Sequence, residues 1–473
     1  MKHALSRKNV WEGLPRSAKS VVGRLLSILP LKYLLGRQFR RHLRFLEEAQ
    51  WWPADQAREY QLANLRRICT LAYERTPYYR QTFSGIGLDP RDIKDMEDFS
   101  QIPTIDRATL RDNLDRMCTA PVGSSKVDYI STAGTSGKPL KFYIGSDRSQ
   151  IEYACLVSSW GRTGFRIGMT MAVFRGRVVP ENSKGLHHEY DPLLKQHFYS
   201  NFHMNDQNMH RYMDHVKSIG PCFLHVYPSS VANLARFLQR SGIEPPQNIL
   251  GIIAESENIY PEQRQMVEKV FGRRYFSSYG HTEKLVAAAE CEKSTNYHVW
   301  PTYGYFELLD DNGNPVTTPG QRGEIVGTGF INTVVPFIRY RTGDYATYVG
   351  DRCNECGRDH TVIADIRGHR TQETLVAGDG SRISWTALNV HDDTFENVLQ
   401  FQFYQATPGL ALLRLVPAPG FNEKDRVRIQ ENLGRKFDNR LEFEICMADA
   451  IPLSKSGKAI YVDQQIQAVE QTF

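Results

Sequence analysis

The chain has 473 residues, of which 41% are hydrophobic and 23% are charged, and its formal net charge is +5. This composition is typical of globular proteins, and the length allows two or more domains with sizeable cores. The sequence contains no internal repeat and no long low-complexity tract, which excludes a repeat protein and a low-complexity protein. Five of the eight cysteines are scattered without a pairing pattern and no secretory signal precedes them, which predicts free thiols in a reducing cytoplasm.

Positive charge is concentrated in residues 1–44, which carry eleven Lys or Arg side chains and a single acid. The apolar run at 25–35 is interrupted by Pro30 and Lys32, so it is too short for a bilayer span of about 20 residues. Two interpretations stay open: peripheral contact with an anionic membrane surface, or a basic helix packed on the protein's own body. No recognition motif accompanies the charge, so nucleic acid is not an expected partner. We therefore predict a basic, partly amphipathic N-terminal segment over residues 1–50.

The stretch 50–118 is predicted to be helical, because apolar residues recur at helical spacing between residues 61 and 73. From residue 127 onward, short apolar strands alternate with helices, which indicates α/β structure with mostly parallel strands. Glycine-rich turns between residues 303 and 348 indicate a β-rich subdomain. The predicted strands are 127–131, 169–174, 223–226 and 250–254, the predicted helices are 231–240 and 261–271, and 310–314 is a predicted hairpin turn.

A smaller α+β unit is predicted after residue 365. Its expected strands are 399–404 and 410–416, and its expected helix is 423–437. The predicted domains are thus 51–365 and 366–473.

Residues 131–139 read Ser-Thr-Ala-Gly-Thr-Ser-Gly-Lys-Pro. Glycines let the backbone approach a polyanion closely, so that N–H groups, hydroxyls and the lysine converge on phosphate oxygens. Thr132 stands where a Walker loop has its first glycine, and Pro139 stands where that motif has Ser or Thr. We therefore predict a phosphate-binding loop of another kind; the alternative is a flexible polar turn.

Cys353 and Cys356 form a Cys-x2-Cys knuckle, and Cys291 and His298 lie upstream at Cys-x6-His spacing. Three thiolates and one imidazole suit a tetrahedral structural zinc ion. His360 is a rival for the fourth ligand. The alternatives are buried free cysteines or a redox pair.

Four motifs follow one another: the loop at 131–139, Tyr-Gly-His-Thr-Glu at 279–283, Tyr-Arg-Thr-Gly-Asp at 340–344, and Pro-Leu-Ser-Lys-Ser-Gly-Lys at 452–458. In this order they resemble the core motifs of the adenylate-forming superfamily, which includes acyl-CoA ligases, firefly luciferase and nonribosomal-peptide adenylation domains. Ile-Arg at 338–339 and Ala-Glu-Ser-Glu at 254–257, 22 residues ahead of Tyr279, are most similar to the phenylacetate–CoA ligase-like branch. Among its members, the chain looks most like those encoded in polysaccharide gene clusters. The resemblance covers roughly residues 60–465.

The resemblance implies roles for individual residues. Tyr279 would lie against adenine, Thr282 would contact the α-phosphate, and Glu283 would bind Mg²⁺, which prefers carboxylate oxygens. Asp344 would accept hydrogen bonds from the ribose hydroxyls, and Lys458 would bridge the α-phosphate and the attacking carboxylate. Further nucleotide-binding residues implied by the resemblance are Thr132, Gly134, Thr135, Ser136, Gly137, Lys138, Glu257 and Gly280.

The hinge segment departs from the family pattern, which is Gly-Arg followed by an acidic pair. Here residues 366–373 read Ile-Arg-Gly-His-Arg-Thr-Gln-Glu. In direct register His369 replaces the arginine and Gln372 an acid, whereas a one-residue slip assigns those roles to Arg370 and Glu373. We favour the slip; the alternative is a charged linker. By resemblance, the small C-terminal domain is mobile and rotates about this hinge between two half-reactions.

The implied activity is that of an AMP-forming ligase. It would activate a carboxylic acid, aryl acids such as phenylacetate included, with ATP and Mg²⁺ and transfer the acyl group to CoA. The alternatives are an adenylate-forming amide ligase with an amine acceptor in polysaccharide biosynthesis, and a non-catalytic nucleotide-binding protein. Candidates for the acid pocket are 225–229 and the turn 256–258, with Trp160 and Tyr153 as a wall or as core. A homodimer is expected at the family level.

Overall fold

The computed structural model describes residues 15, 22–23, 25–26, 29–120, 127–132, 140–145, 148–177, 179–367, 374–384, 394–395, 397–438, 440–451 and 461–466. Three predicted features lie outside the described residues. They are the phosphate loop from residue 133 to residue 139, the hinge residues 368–373 with Arg370, and Lys458.

The helices are α1 (Leu31–Leu34), α2 (Arg37–Ala49), α3 (Ala54–Arg75), α4 (Pro77–Gly85), α5 (Met96–Ser100), α6 (Arg107–Met117), α7 (Arg148–Gly161), α8 (Asp206–Ser218), α9 (Pro228–Ser241), α10 (Pro261–Phe271) and α11 (Glu423–Phe437). A 3-10 turn spans Pro90–Asp92. Local signals set several of these bounds. Both α9 and α10 begin with a proline, which has no backbone N–H and so leaves no donor unpaired at the first helical position. Each helix is followed by a glycine, Gly242 or Gly272, in the left-handed conformation that glycine adopts without steric cost.

The strands are β1 (Val127–Thr132), β2 (Leu140–Gly145), β3 (Thr170–Phe174), β4 (His188–Asp191), β5 (Gln196–Tyr199), β6 (Cys222–Val226), β7 (Ile249–Glu255), β8 (Tyr275–Gly280), β9 (Ala287–Ala289), β10 (Tyr297–Val299), β11 (Gly304–Leu309), β12 (Arg322–Gly329), β13 (Tyr340–Gly350), β14 (Val362–Arg367), β15 (Thr374–Val376), β16 (Arg382–Ser384), β17 (Val398–Thr407), β18 (Leu410–Pro417), β19 (Glu442–Met447) and β20 (Val462–Gln464).

One large sheet runs through the body of the protein in the order β11-β12-β13-β14-β10-β9-β8-β7-β6-β3-β5-β4. Strands β5, β3, β6, β7 and β8 pair in parallel, whereas the strands on either side pair antiparallel. The α/β prediction is confirmed. The predicted parallel region and β-rich region are two halves of the same sheet, joined at the antiparallel pair β8–β9.

The parallel half places functional side chains at one edge of the sheet. Parallel strands present their carboxyl ends at the same edge, and ligands bind there in open α/β sheets. The loops after β3, β6, β7 and β8 therefore converge. The short strands β1 and β2 form a separate antiparallel pair, and the predicted phosphate loop is the segment that connects them.

The C-terminal part forms a sheet in the order β19-β18-β17-β20. Phe403, Leu413 and Leu433 are buried between this sheet and α11. Asn422 caps α11 together with Asp425, which accepts from the Asn422 backbone N–H at 3.0 Å, so that the predicted helix begins where a capping box places it.

The N-terminal helix α2 packs on α7. Phe39 of α2 is fully buried, and its backbone N–H donates to Gln150 Oε1 at 3.2 Å. For residues 37–49 this matches the second interpretation, a basic helix packed on the body. Among the described residues, none of the helices combines the length and the apolarity that a bilayer span requires. Membrane contact by the residues ahead of α2 stays a prediction.

Helix α4 docks on the β-rich half through a buried tyrosine. The Tyr79 hydroxyl donates to the Pro336 carbonyl at 2.9 Å and lies 3.3 Å from the backbone nitrogen of Ile338. Nearby, Arg339, which is ion-paired with Glu307, donates from Nη1 to the Ile102 carbonyl at 2.6 Å. These contacts hold the helical N-terminal part against the strand that carries Asp344.

Candidate active site

A cleft of about 1020 Å³ opens at the carboxyl edge of the parallel strands. Its walls come from the loops after β3, β6, β7 and β8, from the start of β13 and from α6. Predicted site residues that line this cleft are Glu257, Tyr279, Gly280, Thr282, Glu283 and Asp344. Three motifs that lie far apart in the sequence thus meet in one cavity.

Tyr279 and Asp344 touch across the cleft. The Tyr279 hydroxyl, at the end of β8, donates to Asp344 Oδ2 on β13 at 2.8 Å. Burial raises the pKa of Tyr279, and the charge of Asp344 raises it further, so the phenol stays protonated as a donor. A hydrogen bond holds the backbone just before Asp344: Gly343, which takes φ +75, donates its N–H to Glu324 Oε1 at 2.9 Å.

Glu283 lies deep in the cleft with its neighbour His281. Its Oε2 atom is 3.3 Å from His281 Nδ1. Burial by itself would raise the pKa of Glu283, but the hydrogen bond and charge of His281 outweigh burial and leave the pKa lowered. The carboxylate is therefore ionised at neutral pH and is available to a hard cation. The next residue, Lys284, has φ +61 and is paired with Glu152.

A second group of polar side chains surrounds Glu255 at the end of β7. Its Oε2 atom lies 2.9 Å from Arg175 Nη1 and 3.1 Å from His225 Nε2. Its Oε1 atom accepts from Trp160 Nε1 at 2.7 Å and from Ser278 Oγ at 2.5 Å. Burial acts to raise the pKa of Glu255, but the bond to His225 and the charge of Arg175 outweigh it, so the group is ionised. Both oxygens of the Glu255 carboxylate, at the wall of the cleft, therefore have hydrogen-bond or ion-pair partners.

Arg175 extends from this group into the cleft. Its Nη2 donates to Ser256 Oγ at 2.7 Å, and its guanidinium carbon lies 5.3 Å from the centre of the Tyr227 ring. Ser256 takes φ +74, a conformation that is uncommon for a residue with a side chain and clusters at functional sites. Of the sequence candidates for an acid pocket, Tyr227 and the turn 256–258 line the cleft.

The other pocket candidates are core residues. Trp160 is 2% exposed and Tyr153 packs against Phe39, so the core alternative applies to both. Sequence reasoning missed several charged groups of the cleft, among them Arg107 and Arg111 at the start of α6. The motifs gave no signal for them because they reach the cleft from a separate helix.

The four predicted zinc ligands also meet. The ligand atoms of Cys291, His298, Cys353 and Cys356 all lie within 4.8 Å of one another, and Cys356 Sγ is 3.4 Å from His298 Nε2. His298 Nδ1 lies 3.1 Å from the Asn296 carbonyl, which leaves Nε2 toward the sulfurs. This donor set and its closed arrangement fit a tetrahedral structural zinc ion.

Supporting contacts surround this cysteine cluster. Backbone N–H groups of Lys293 and Ser294 donate to Cys291 Sγ at 3.4 and 3.1 Å, and these bonds partly offset the rise in the pKa of Cys291 that burial causes. The rival ligand His360 is buried but lies outside the group of four, with its ring 6.4 Å from that of His298. The geometry thus brings together the first set of predicted ligands.

Comparison with known proteins agrees with the motifs. No protein-family model matches the chain. It is 25% identical over 334 residues to a phenylacetate–coenzyme A ligase of Thermus thermophilus, an alignment that covers 70% of this chain and 74% of that protein. It is 29% identical over 305 residues to a phenylacetate–coenzyme A ligase of Pseudomonas putida, covering 63% of this chain and 68% of that protein.

A solved structure supports the same fold. An open conformation of 2-hydroxyisobutyryl-CoA ligase, in complex with 2-HIB-AMP and CoA, superposes with a TM-score of 0.56 at 20% identity. The match covers 88% of this chain and 93% of that chain, so it extends over nearly the whole architecture described above.

Proposed function

Because this chain belongs to the phenylacetate–CoA ligase-like branch of the adenylate-forming superfamily, we propose that it is an AMP-forming acid–CoA ligase. In the first step a carboxylate oxygen attacks the α-phosphorus of ATP, and the bond to pyrophosphate breaks. In the second step the CoA sulfur attacks the acyl carbon, and AMP leaves. Both steps depend on positioning and charge stabilisation.

The convergence of Tyr279, Glu283 and Asp344 on one cleft carries this proposal. Asp344 is an acceptor-only group when ionised, and a carboxylate accepts several hydrogen bonds at once, which suits a pair of ribose hydroxyls. Tyr279, hydrogen-bonded to it, would form the adenine side of the same subsite. Thr282, one residue from Glu283, would contact the α-phosphate.

Glu283 is the proposed ligand of the Mg²⁺ that accompanies ATP. An ionised carboxylate in a cleft that cationic Arg107 also lines suits a magnesium–triphosphate complex. The phosphate loop between β1 and β2 would hold the outer phosphates through its N–H groups, hydroxyls and Lys138. Lys458 would bring a compact positive charge to the reacting oxygens.

The acid would enter on the side of Arg175, Tyr227 and Ser256. This end of the cleft combines an aromatic face with a guanidinium that is already paired to Glu255. Such a wall suits a small or aryl carboxylic acid with a polar contact near the carboxylate.

We further propose that Cys291, His298, Cys353 and Cys356 bind a structural zinc ion. The cysteine cluster adjoins Arg358, which lies in a bidentate pair with Glu292 and donates to Gln50 Oε1 at 2.9 Å. The zinc ion would link the chain segments that carry these four residues. It would have no catalytic role, because all four coordination positions are taken by protein ligands.

The deciding measurement is acid-dependent pyrophosphate release from ATP and Mg²⁺, with a panel of aryl and small carboxylic acids, with and without CoA. Lys458→Ala is expected to abolish release, while the variant still converts a pre-made acyl-adenylate and CoA to the thioester. Lys424→Ala, at an exposed lysine of α11, is the control and is expected to retain activity. No release with any acid, or release that needs an amine in place of CoA, would contradict the proposal.

A further inference from the structure

A second group of potential metal ligands lies away from the cleft and from the cysteine cluster. His188 is on β4, His197 is on β5 and His215 is on α8, and their ligand nitrogens all lie within 4.8 Å of one another. His188 Nε2 is 3.0 Å from His197 Nδ1, and the rings of His188 and His215 are 4.3 Å apart. All three side chains are half-buried.

Strand register explains why the two strand histidines share a face. His188 is paired directly with Tyr199, and His197 lies two residues before Tyr199 on the same strand. Side chains two apart on a strand, and side chains directly opposite each other, point to the same face of a sheet. Helix α8 covers that face and adds His215 to the pair.

Tyr199 holds His215 in a fixed orientation. Its hydroxyl lies 2.7 Å from His215 Nδ1, and the tyrosine is fully buried. With Nδ1 engaged, Nε2 is the nitrogen of His215 that remains for a metal. Histidine ligands in metal sites are commonly oriented by such a bond to their other ring nitrogen.

We propose that His188, His197 and His215 bind a divalent first-row transition ion of the zinc class, with water or a small anion as the fourth ligand. Three imidazoles suit Zn²⁺, Co²⁺, Ni²⁺ or Cu²⁺ rather than Mg²⁺ or Ca²⁺, which prefer oxygen. The bound ion ties the edge hairpin β4–β5 to α8.

Cobalt distinguishes this histidine cluster from the cysteine cluster. Thiolate ligands give Co²⁺ a sulfur-to-metal charge-transfer absorption, whereas three imidazoles give only weak d–d bands. Full-length protein is stripped with chelator and titrated with Co²⁺. We expect two equivalents to bind, of which the second adds d–d absorption but no charge-transfer absorption. A single equivalent that carries charge-transfer absorption, or two that both carry it, overturns the proposal; a single equivalent without charge-transfer absorption supports the histidine cluster and counts against the cysteine cluster.

Variants assign the second equivalent. His188→Gln combined with His197→Gln is expected to lose that equivalent and to keep the charge-transfer signal. His210→Gln is the matched control and is expected to keep both equivalents. His210 is an exposed histidine on α8, the helix that carries His215, and it pairs with Asp214. Unchanged stoichiometry in the double variant overturns the proposal.

Tyr199→Phe tests the orienting contact without removing a ligand. We expect stoichiometry to be retained and affinity at the histidine cluster to fall about 10- to 100-fold, the range seen when an outer partner of a metal-binding histidine is lost. Affinity at the cysteine cluster should not change. Because this variant keeps all three imidazoles, it remains informative if the double histidine variant does not fold. Equal affinity in Tyr199→Phe and wild-type protein contradicts the proposed orientation.

Discussion

Asp344→Asn tests whether the carboxylate on β13 holds the nucleotide. The replacement keeps the size and the acceptor oxygen of the side chain and removes its charge. In the structure the Asp344 carboxylate accepts from Tyr279 at 2.8 Å, and in the proposed complex it also accepts from two ribose hydroxyls. The variant therefore weakens hydrogen bonds without leaving a cavity.

The expected magnitude follows from these hydrogen bonds. A hydrogen bond to a charged group contributes about 1.5–3 kcal/mol and a neutral one about 0.5–1.5 kcal/mol, so each ribose bond loses about 1–1.5 kcal/mol. Two bonds lose about 2–3 kcal/mol, which corresponds to a fall of about 30- to 150-fold in kcat/KM for ATP. We expect most of the change in KM, because the ribose contact is the same in substrate and transition state.

The assay is pyrophosphate release at a saturating carboxylic acid and varied ATP concentration. Asp311→Asn, which neutralises an exposed carboxylate in the turn after β11, is the control and should leave kcat/KM unchanged. Thermal unfolding establishes that both variants are folded. A value of kcat/KM for ATP in Asp344→Asn that equals the wild-type value refutes the proposed role.

Three further predictions concern stability. Cys353→Ser should remove one zinc equivalent and lower Tm, whereas Cys446→Ser, at an exposed cysteine, should change neither; metal analysis and calorimetry decide, and an unaltered zinc content in Cys353→Ser counts against the site. Glu255→Gln leaves Arg175 without its buried partner and should lower the free energy of unfolding by about 3–5 kcal/mol at pH 7. The pKa of Glu255 in the folded protein is below its ordinary value of 4.5, so the carboxylate contributes its full stabilisation above pH 4.5 and loses it as the pH falls further. The difference in free energy of unfolding between Glu255→Gln and wild-type protein should therefore shrink in acid. A difference that stays constant with pH contradicts the assignment. Tyr79→Phe leaves a buried carbonyl without its donor and should lower the free energy of unfolding by about 1–3 kcal/mol in urea titrations; no change would show that the hydroxyl bond adds no stability.

Sequence patterns predicted the elements that local rules control. The alternation of short apolar strands with helices located β6, β7, α9 and α10 to within a few residues. A proline at the first helical position and a glycine beyond the last act within one turn, so they can be read without knowledge of the neighbours. The order of the motifs also indicated the superfamily, because spacing along the chain is itself a sequence property.

Tertiary structure decided which distant residues meet. Arg107 and Arg175 belong to none of the motifs, and they enter the cleft because α6 begins and β3 ends at the same edge of one sheet. Nothing local to Arg175 indicates Glu255, which lies 80 residues further along. Their ion pair exists only because β3, β6 and β7 are neighbours, an arrangement set by the packing of the whole sheet.

The two clusters of potential metal ligands show the same division. Cys-x2-Cys spacing indicated the cysteine cluster from sequence, because a short knuckle brings two thiols together by local geometry. The three histidines gave no such signal, since two of them face each other only through strand register and the third arrives on a helix. Sequence alone thus determined the elements and the local motifs, whereas long-range burial of apolar faces decided which side chains became neighbours.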